Sequence, residues 1–156
     1  MRRTGTKMFA AGSMLVLALT ACSNGDDGNE TSADQGEPAA DAVVFVEDSD
    51  LGQILVDAEG RTLYLFLPDD QGGESTCYDD CEANWPPLAV EGDPTGGDGV
   101  DGAMLGTTER EDGSVQVTYD DWPLYSFAAD ETADDVNGQG VGDVWYVVSP
   151  DGEPIQ

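Results

Sequence analysis

The chain of 156 residues contains no histidine and only five cationic side chains. Without histidine, the imidazole base, a histidine-ligated metal and the usual Cys-x-x-Cys-His haem attachment are excluded. Three of the cations (Arg2, Arg3 and Lys7) stand at the extreme N-terminus, so only Arg61 and Arg110 remain beyond it. No lysine beyond Lys7 means no Schiff base on a side chain of the rest of the chain, and no phosphate-binding glycine loop with its lysine is present. Nor does any long apolar run or sustained 3.6-residue periodicity occur, which argues against a major helix. Carboxylates are the remaining acid/base groups, but among 33 of them a chance pair carries no information. These absences leave no recognisable catalytic constellation, and the chain reads as a non-enzyme.

What is abundant is negative charge, a formal net of −28. Such a surface repels nucleic acid and anionic lipid headgroups. It suits a high-salt environment, attracts cations or simply keeps the protein soluble.

The N-terminus has the form of an export signal. Arg2, Arg3 and Lys7 precede the apolar run Met8 to Leu19, too short for the roughly 20 residues that a bilayer span needs. The run ends Leu19-Thr20-Ala21-Cys22, the form of a lipobox whose cysteine is diacylated, and two chains anchor where one does not. Residues 1–21 therefore read as a signal peptide and Cys22 as the lipidated N-terminus of a protein held on the outer face of the cell membrane. Ser23 to Asp41 is polar, acidic and nearly free of large apolar residues. It reads as a flexible tether reaching roughly 25 Å.

From residue 42 to 156 the texture becomes short Val-, Ile-, Leu-, Tyr- and Phe-rich runs cut by Gly, Asp and Pro, a strand-and-turn pattern. Ala58 to Arg61 has the look of a tight hairpin turn. This head also repeats itself. Leu55 to Asp69 aligns without gaps on Gln116 to Asp130, matching Val56 with Val117, Leu63 with Leu124, Tyr64 with Tyr125, Phe66 with Phe127 and Asp69 with Asp130. A Leu-Gly pair precedes each copy (Leu51-Gly52 and Leu105-Gly106), and Trp85 and Trp145 follow. Two such units, neither able to bury its apolar face alone, are expected to pack into one core. The expected fold is mainly β: two tandem hairpin-based repeats, about 51–90 and 105–150, with a short helical turn around Cys77–Asn84. Between them, Glu91 to Gly102 is a Gly-rich acidic segment that reads as a plain loop, although Gly96 to Asp101 matches the start of a calcium-binding G-G-x-G-x-D repeat.

The lipobox, the paired Tyr-x-Phe-x-x-Asp motifs, "CYDDCEANWPPL" and "NGQGVGDVWYVVSPDG" together resemble the bacterial secreted-repeat lipoproteins defined by a Tyr-x-(Phe/Trp/Tyr)-x-x-Asp motif. The likeness covers roughly residues 51 to 152. It implies an exported architecture with the repeat in one or more copies, and it brings no established activity with it. One departure is Asp120-Asp121, where Asn-Gly is expected in the turn, so Asp121 must take a conformation that Gly adopts more easily.

Four sets of residues invite a functional reading. Tyr64, Phe66, Tyr125 and Phe127 could form an aromatic ligand platform, but alternate large residues on a strand more often pack a core. Asp69 and Asp130, just past each strand, are expected to accept backbone N–H bonds in a turn. Their alternative is a Ca²⁺ site built from Asp69, Asp70 and Glu74, or from Asp130, Asp134, Asp135 and Asn137, since Ca²⁺ takes six to eight oxygens. Cys77 and Cys81 are an even pair in an oxidising compartment. Two thiolates are too few for a structural zinc. Asp79, Asp80 and Glu82 surround the pair with no cation near in sequence, which disfavours a reactive thiolate even if Thr76 caps a short helix. They are expected to form a structural disulfide, with an envelope thiol–disulfide redox role as the alternative. The overall expectation is a monomeric, lipid-anchored binding or presentation domain, with a protein or ligand partner rather than nucleic acid.

Overall fold

A computed structural model of the protein describes residues 42–156. The signal peptide, Cys22 and the acidic tether lie outside the described residues. Eight short strands, one short helix and two 3₁₀ turns follow in the order β1 (Ala42–Ser49), β2 (Gly52–Asp57), β3 (Tyr64–Phe66), a 3₁₀ turn (Leu67–Asp69), α1 (Asp80–Asn84), β4 (Thr95–Gly96), β5 (Leu105–Glu109), β6 (Val115–Tyr119), β7 (Trp122–Pro123), a second 3₁₀ turn (Val141–Asp143) and β8 (Trp145–Val147). The strands form three small sheets, β2-β1-β4, β3-β8 and β5-β6-β7. The fold is mainly β, as expected, and the helical turn is α1.

Each copy begins with an antiparallel hairpin: β1–β2, with Val46 opposite Leu55, and β5–β6, with Thr107 opposite Val117. A second turn then reverses β2 or β6 toward the motif strand. In the first copy Asp57 builds it: its Oδ1 accepts the N–H groups of Glu59 and Arg61, at 2.9 Å each, and Gly60 takes φ +79°. In the second, Tyr119 pairs with Trp122 across Asp120-Asp121, both at positive φ (47° and 64°). That is the mirror-image turn that Asn-Gly would fill without strain.

The two turns differ by one residue, and this corrects the ungapped alignment. Leu63 donates to Leu55 O and Leu124 to Val117 O, so Val117 corresponds to Leu55 and not to Val56. The Leu-Gly pairs are not equivalent either. Leu51-Gly52 closes the β1–β2 turn, whereas Leu105-Gly106 opens β5. The segment 91–102 is more than a plain loop, because it supplies β4, which lies parallel to β1 and seals it through Gly97 N–H to Val44 O (2.8 Å). Glycine is required there: a Cβ on Gly97 would meet the Phe45 ring at 2.2 Å.

The run "LYLFL" is apolar throughout because it feeds two cores. Leu63 and Leu65 join Leu55, Val117, Tyr119, Leu124 and Val148 in one cluster. Tyr64 joins Ile54, Val56, Cys77, Trp85, Tyr125, Trp145 and Val147 in the other. Successive strand residues point to opposite faces, and here both faces are covered.

The copies are interlocked rather than stacked. β3 of the first pairs with β8 of the second. Reciprocally, Tyr125 of the second bridges to Pro87 of the first, with Ser126 N–H donating to Pro86 O. Pro86-Pro87 thus run along the partner motif strand instead of leaving the core.

Candidate functional site

The motif strands meet at the centre of the molecule. Tyr64 N–H donates to Tyr125 O (2.8 Å) and Tyr125 N–H to Tyr64 O (2.9 Å), so a local two-fold relationship runs between them. The side chains obey it as well. Tyr64 OH donates to Asp130 Oδ2 and Tyr125 OH to Asp69 Oδ2, each at 2.6 Å. Every motif tyrosine therefore binds the aspartate of the other copy. The second oxygen of each carboxylate holds its own loop seven residues on: Asp69 Oδ1 accepts from Thr76 N–H and Oγ1 (2.7 Å each), and Asp130 Oδ1 from Asn137 N–H (3.0 Å). The turn role expected of these aspartates is present, with an inter-copy bond added to it.

Both tyrosines are fully buried, and Asp69 and Asp130 are 2% and 6% exposed. The platform reading of Tyr64 and Tyr125 is thereby overturned, because no ligand can reach rings sealed inside the core. Phe66 and Phe127 are half-buried and stack on tryptophans instead. Burial pushes both phenols far above the usual tyrosine range, and the carboxylate each one faces pushes further the same way. Burial also raises Asp130, against the lowering effect of its bonds from Tyr64 and Asn137. The phenols thus stay neutral donors at any physiological pH.

The two tyrosines differ in what donates to them. Gly138 N–H donates to the Tyr64 phenol oxygen (3.2 Å). At Tyr125 that place is taken by Ser75 Oγ, 2.6 Å away. Since the single phenol proton goes to Asp69, Ser75 is the donor there. Ser75 in turn accepts from Arg110 Nη1 (2.6 Å).

Arg110 is the residue that sequence reasoning missed. Its side chain is fully buried. Nη1 also donates to Gln116 Oε1 (2.9 Å), Nη2 donates to Cys77 O (2.9 Å) and Glu82 Oε2 (2.8 Å), and the guanidinium lies 4.4 Å from the Tyr78 ring centroid. Burying a cation requires such compensation. Its scarcity was the available signal, since Arg110 is one of two cations past residue 7.

Cys77 and Cys81 are joined by a disulfide. Thr76 does not cap the helix: α1 starts at Asp80 with Asp79 at its N-cap and no side-chain capping bond, and Thr76 instead donates its N–H and Oγ1–H to Asp69. The surroundings also differ from expectation. Arg110 brings a cation onto the Cys77 carbonyl from 33 residues away, and Glu82 neutralises it.

The remaining carboxylates of the suggested cation sites are scattered in role. Asp70, Glu74 and Asp134 are exposed, while Asp135 Oδ2 accepts from Glu131 N–H and Thr132 N–H. Among the described residues no three acidic or cysteine side chains are grouped to hold a metal ion. The surface of the described residues includes a cleft of about 470 Å³ lined by Ala89–Gly92 and Gly113–Val115, and another of about 220 Å³ between Asp48–Asp50 and Asp134.

A family model described as "secreted repeat of unknown function" matches residues 46–89 and again 106–149. These two matches coincide with the interlocked copies. No curated protein and no solved structure matches the chain.

Proposed function

Because this chain belongs to the family of secreted repeats of unknown function, whose model matches more than half of it, we propose that it is an exported, lipid-anchored envelope protein whose head is a non-catalytic binding or presentation domain. The observation that carries this reading is the fate of the motif. Its phenols and carboxylates are bonded to each other inside the core, so the motif builds a rigid scaffold and leaves ligand recognition to the surface. The secreted family supports export, and the lipobox at residues 19–22 supports an envelope location with Cys22 as the acylated residue. A thermal-shift screen of metals, sugars, peptides and peptidoglycan fragments tests the binding role; a ligand that raises Tm supports it, and turnover of any of these compounds overturns it. Cys22→Ser should abolish lipid labelling, and labelling that persists overturns the anchor.

A second reading, an envelope thiol–disulfide protein, is favoured by one observation: Arg110 sits against the Cys77–Cys81 loop. A cation there stabilises a thiolate, opposed by Glu82 and the neighbouring aspartates. Titration against glutathione separates the readings, since a structural disulfide resists reduction and a redox pair exchanges.

A further inference from the structure

The two copies treat the outer edge of their first strand differently. In the first, β4 lies along β1 and Gly97 N–H reaches Val44 O. In the second, β5 is an edge strand of its sheet. Matching register places Leu105 where Val44 stands, since Val46 faces Leu55 as Thr107 faces Val117.

The direction of the free groups follows from the hydrogen-bond partners of β6. Val117 N–H turns away from β5 to Leu88 O (2.8 Å), and Val115 O accepts from Val90 N–H (3.0 Å). In an antiparallel pair, residues opposite such positions also turn their backbone groups outward. Thr107 and Glu109, and by the same alternation Leu105, therefore present N–H and C=O groups to solvent. Among the described residues nothing pairs with them. Edge strands are commonly guarded by lysine, proline or a bulge. β5 reads Leu-Gly-Thr-Thr-Glu and pairs with β6 without a register break.

We propose that the outer edge of β5 is a strand-addition site for an extended polypeptide segment bearing basic side chains, held as β4 is held on β1. Charge selects the occupant. The chain carries a net −28; Arg61 is already paired with Asp57 and Glu59, and Arg110 is buried. Glu109 on the edge itself, with Asp101 and Glu111 close in sequence, is exposed. A second copy of this chain would bring the same charge to the edge and be repelled, whereas a basic strand gains steering from the whole surface. Backbone hydrogen bonds supply affinity in this mode and alternate side chains supply selectivity.

This inference rests on the reading of the head as a binding domain, and the test separates the two. An alternating Lys-Val peptide is titrated into the ¹⁵N-labelled protein, with an alternating Glu-Val peptide as control. Amide shifts centred on Leu105, Thr107 and Glu109, given by the basic peptide alone and reduced by salt, support the site. Thr107→Pro removes an outward N–H without breaking a bond to β6, and should weaken binding about tenfold or more. Thr107→Val keeps that N–H and should retain binding, which controls for misfolding. Shifts located elsewhere, equal binding of both peptides, or dimerisation through β5 with no peptide added would each overturn the proposal. If the peptide leaves β5 untouched while another ligand raises Tm, this site falls and the binding role stands.

Discussion

Trp85 and Trp145 stack face to face, with ring centroids 3.9 Å apart and planes 3° from parallel, and they come from different copies of the repeat. Phe127 stacks on the outer face of Trp85 and Phe66 on that of Trp145, each at 4.1 Å. Four rings thus form one pile that crosses between the copies three times. The tyrosines close it edge-on, Tyr64 against Trp85 at 5.3 Å and Tyr125 against Trp145 at 5.1 Å. Gly138 permits this packing, since a Cβ there would meet Trp85 at 2.7 Å and Tyr64 at 2.8 Å.

Trp85→Ala and Trp145→Ala should each cost about 3–5 kcal/mol, as large aromatic truncations do. The double variant should cost less than the sum, by about 0.5–1.5 kcal/mol for the lost ring pair. Urea denaturation of the three variants measures this, and strict additivity would mean that the stack contributes nothing beyond its burial.

The buried phenols predict alkaline lability. Their folded pKa values lie above the ordinary value near 10. Below pH 10 both folded and unfolded states keep the protons and the contribution is complete. Above it the unfolded chain releases them first, so stability falls as pH rises, by up to about 1.4 kcal/mol per pH unit per tyrosine. Melting between pH 8 and 12 should show this slope, and Tyr125→Phe should reduce it. Phenolate absorbance should show two tyrosines that do not titrate until the protein unfolds.

Removing Arg110 leaves Ser75, Gln116 and the Cys77 carbonyl without their donor. Unsatisfied buried groups cost about 1–3 kcal/mol each, so Arg110→Met should destabilise by several kcal/mol. Arg110→Lys should not rescue it, because one ammonium cannot supply the fork that spans four partners. A rescue would show that charge alone matters at this place.

These features were unequally legible in the sequence. The repeat and its burial were readable because the motif residues recur at a near-constant offset and strand alternation assigns them to faces. The reciprocity of Tyr64 with Asp130 was not, because aligning copies identifies equivalents and says nothing about which copy supplies a partner. Leu51-Gly52 misled because a dipeptide match ignores position: Leu51 stands 13 residues before Tyr64, in the β1–β2 turn, and Leu105 stands 20 before Tyr125, at the start of β5. Arg110 escaped because it gathers its partners from 6, 28, 33 and 35 residues away, and no periodicity marks such a residue.

Calcium separates general screening from a specific site. Asp69 and Asp130 spend their oxygens on tyrosine, threonine and asparagine donors. Millimolar Ca²⁺ should therefore raise Tm no more than Na⁺ of equal ionic strength, whereas a bound ion at 100 times its Kd would add about 2.7 kcal/mol. A calcium-specific shift would establish a cation site that the motif aspartates do not provide.

Interlocking predicts that neither repeat is a folding unit. Tyr64 lacks its acceptor without Asp130, Tyr125 lacks Asp69, each tryptophan loses its mate, and β3 and β8 lose each other. A chain cut after Gly102 separates the halves while leaving β4 on β1. Residues 42–102 and 103–156, expressed separately, should each be unfolded, because each lacks a large part of both core clusters. Mixed, they should combine one to one and restore the near-ultraviolet circular dichroism of the tryptophan pair. The recombined protein should melt lower than the intact chain and in a concentration-dependent way, since the link had made the encounter intramolecular. A half that alone shows cooperative melting and the tryptophan signal would mean that the copies fold separately and dock afterwards.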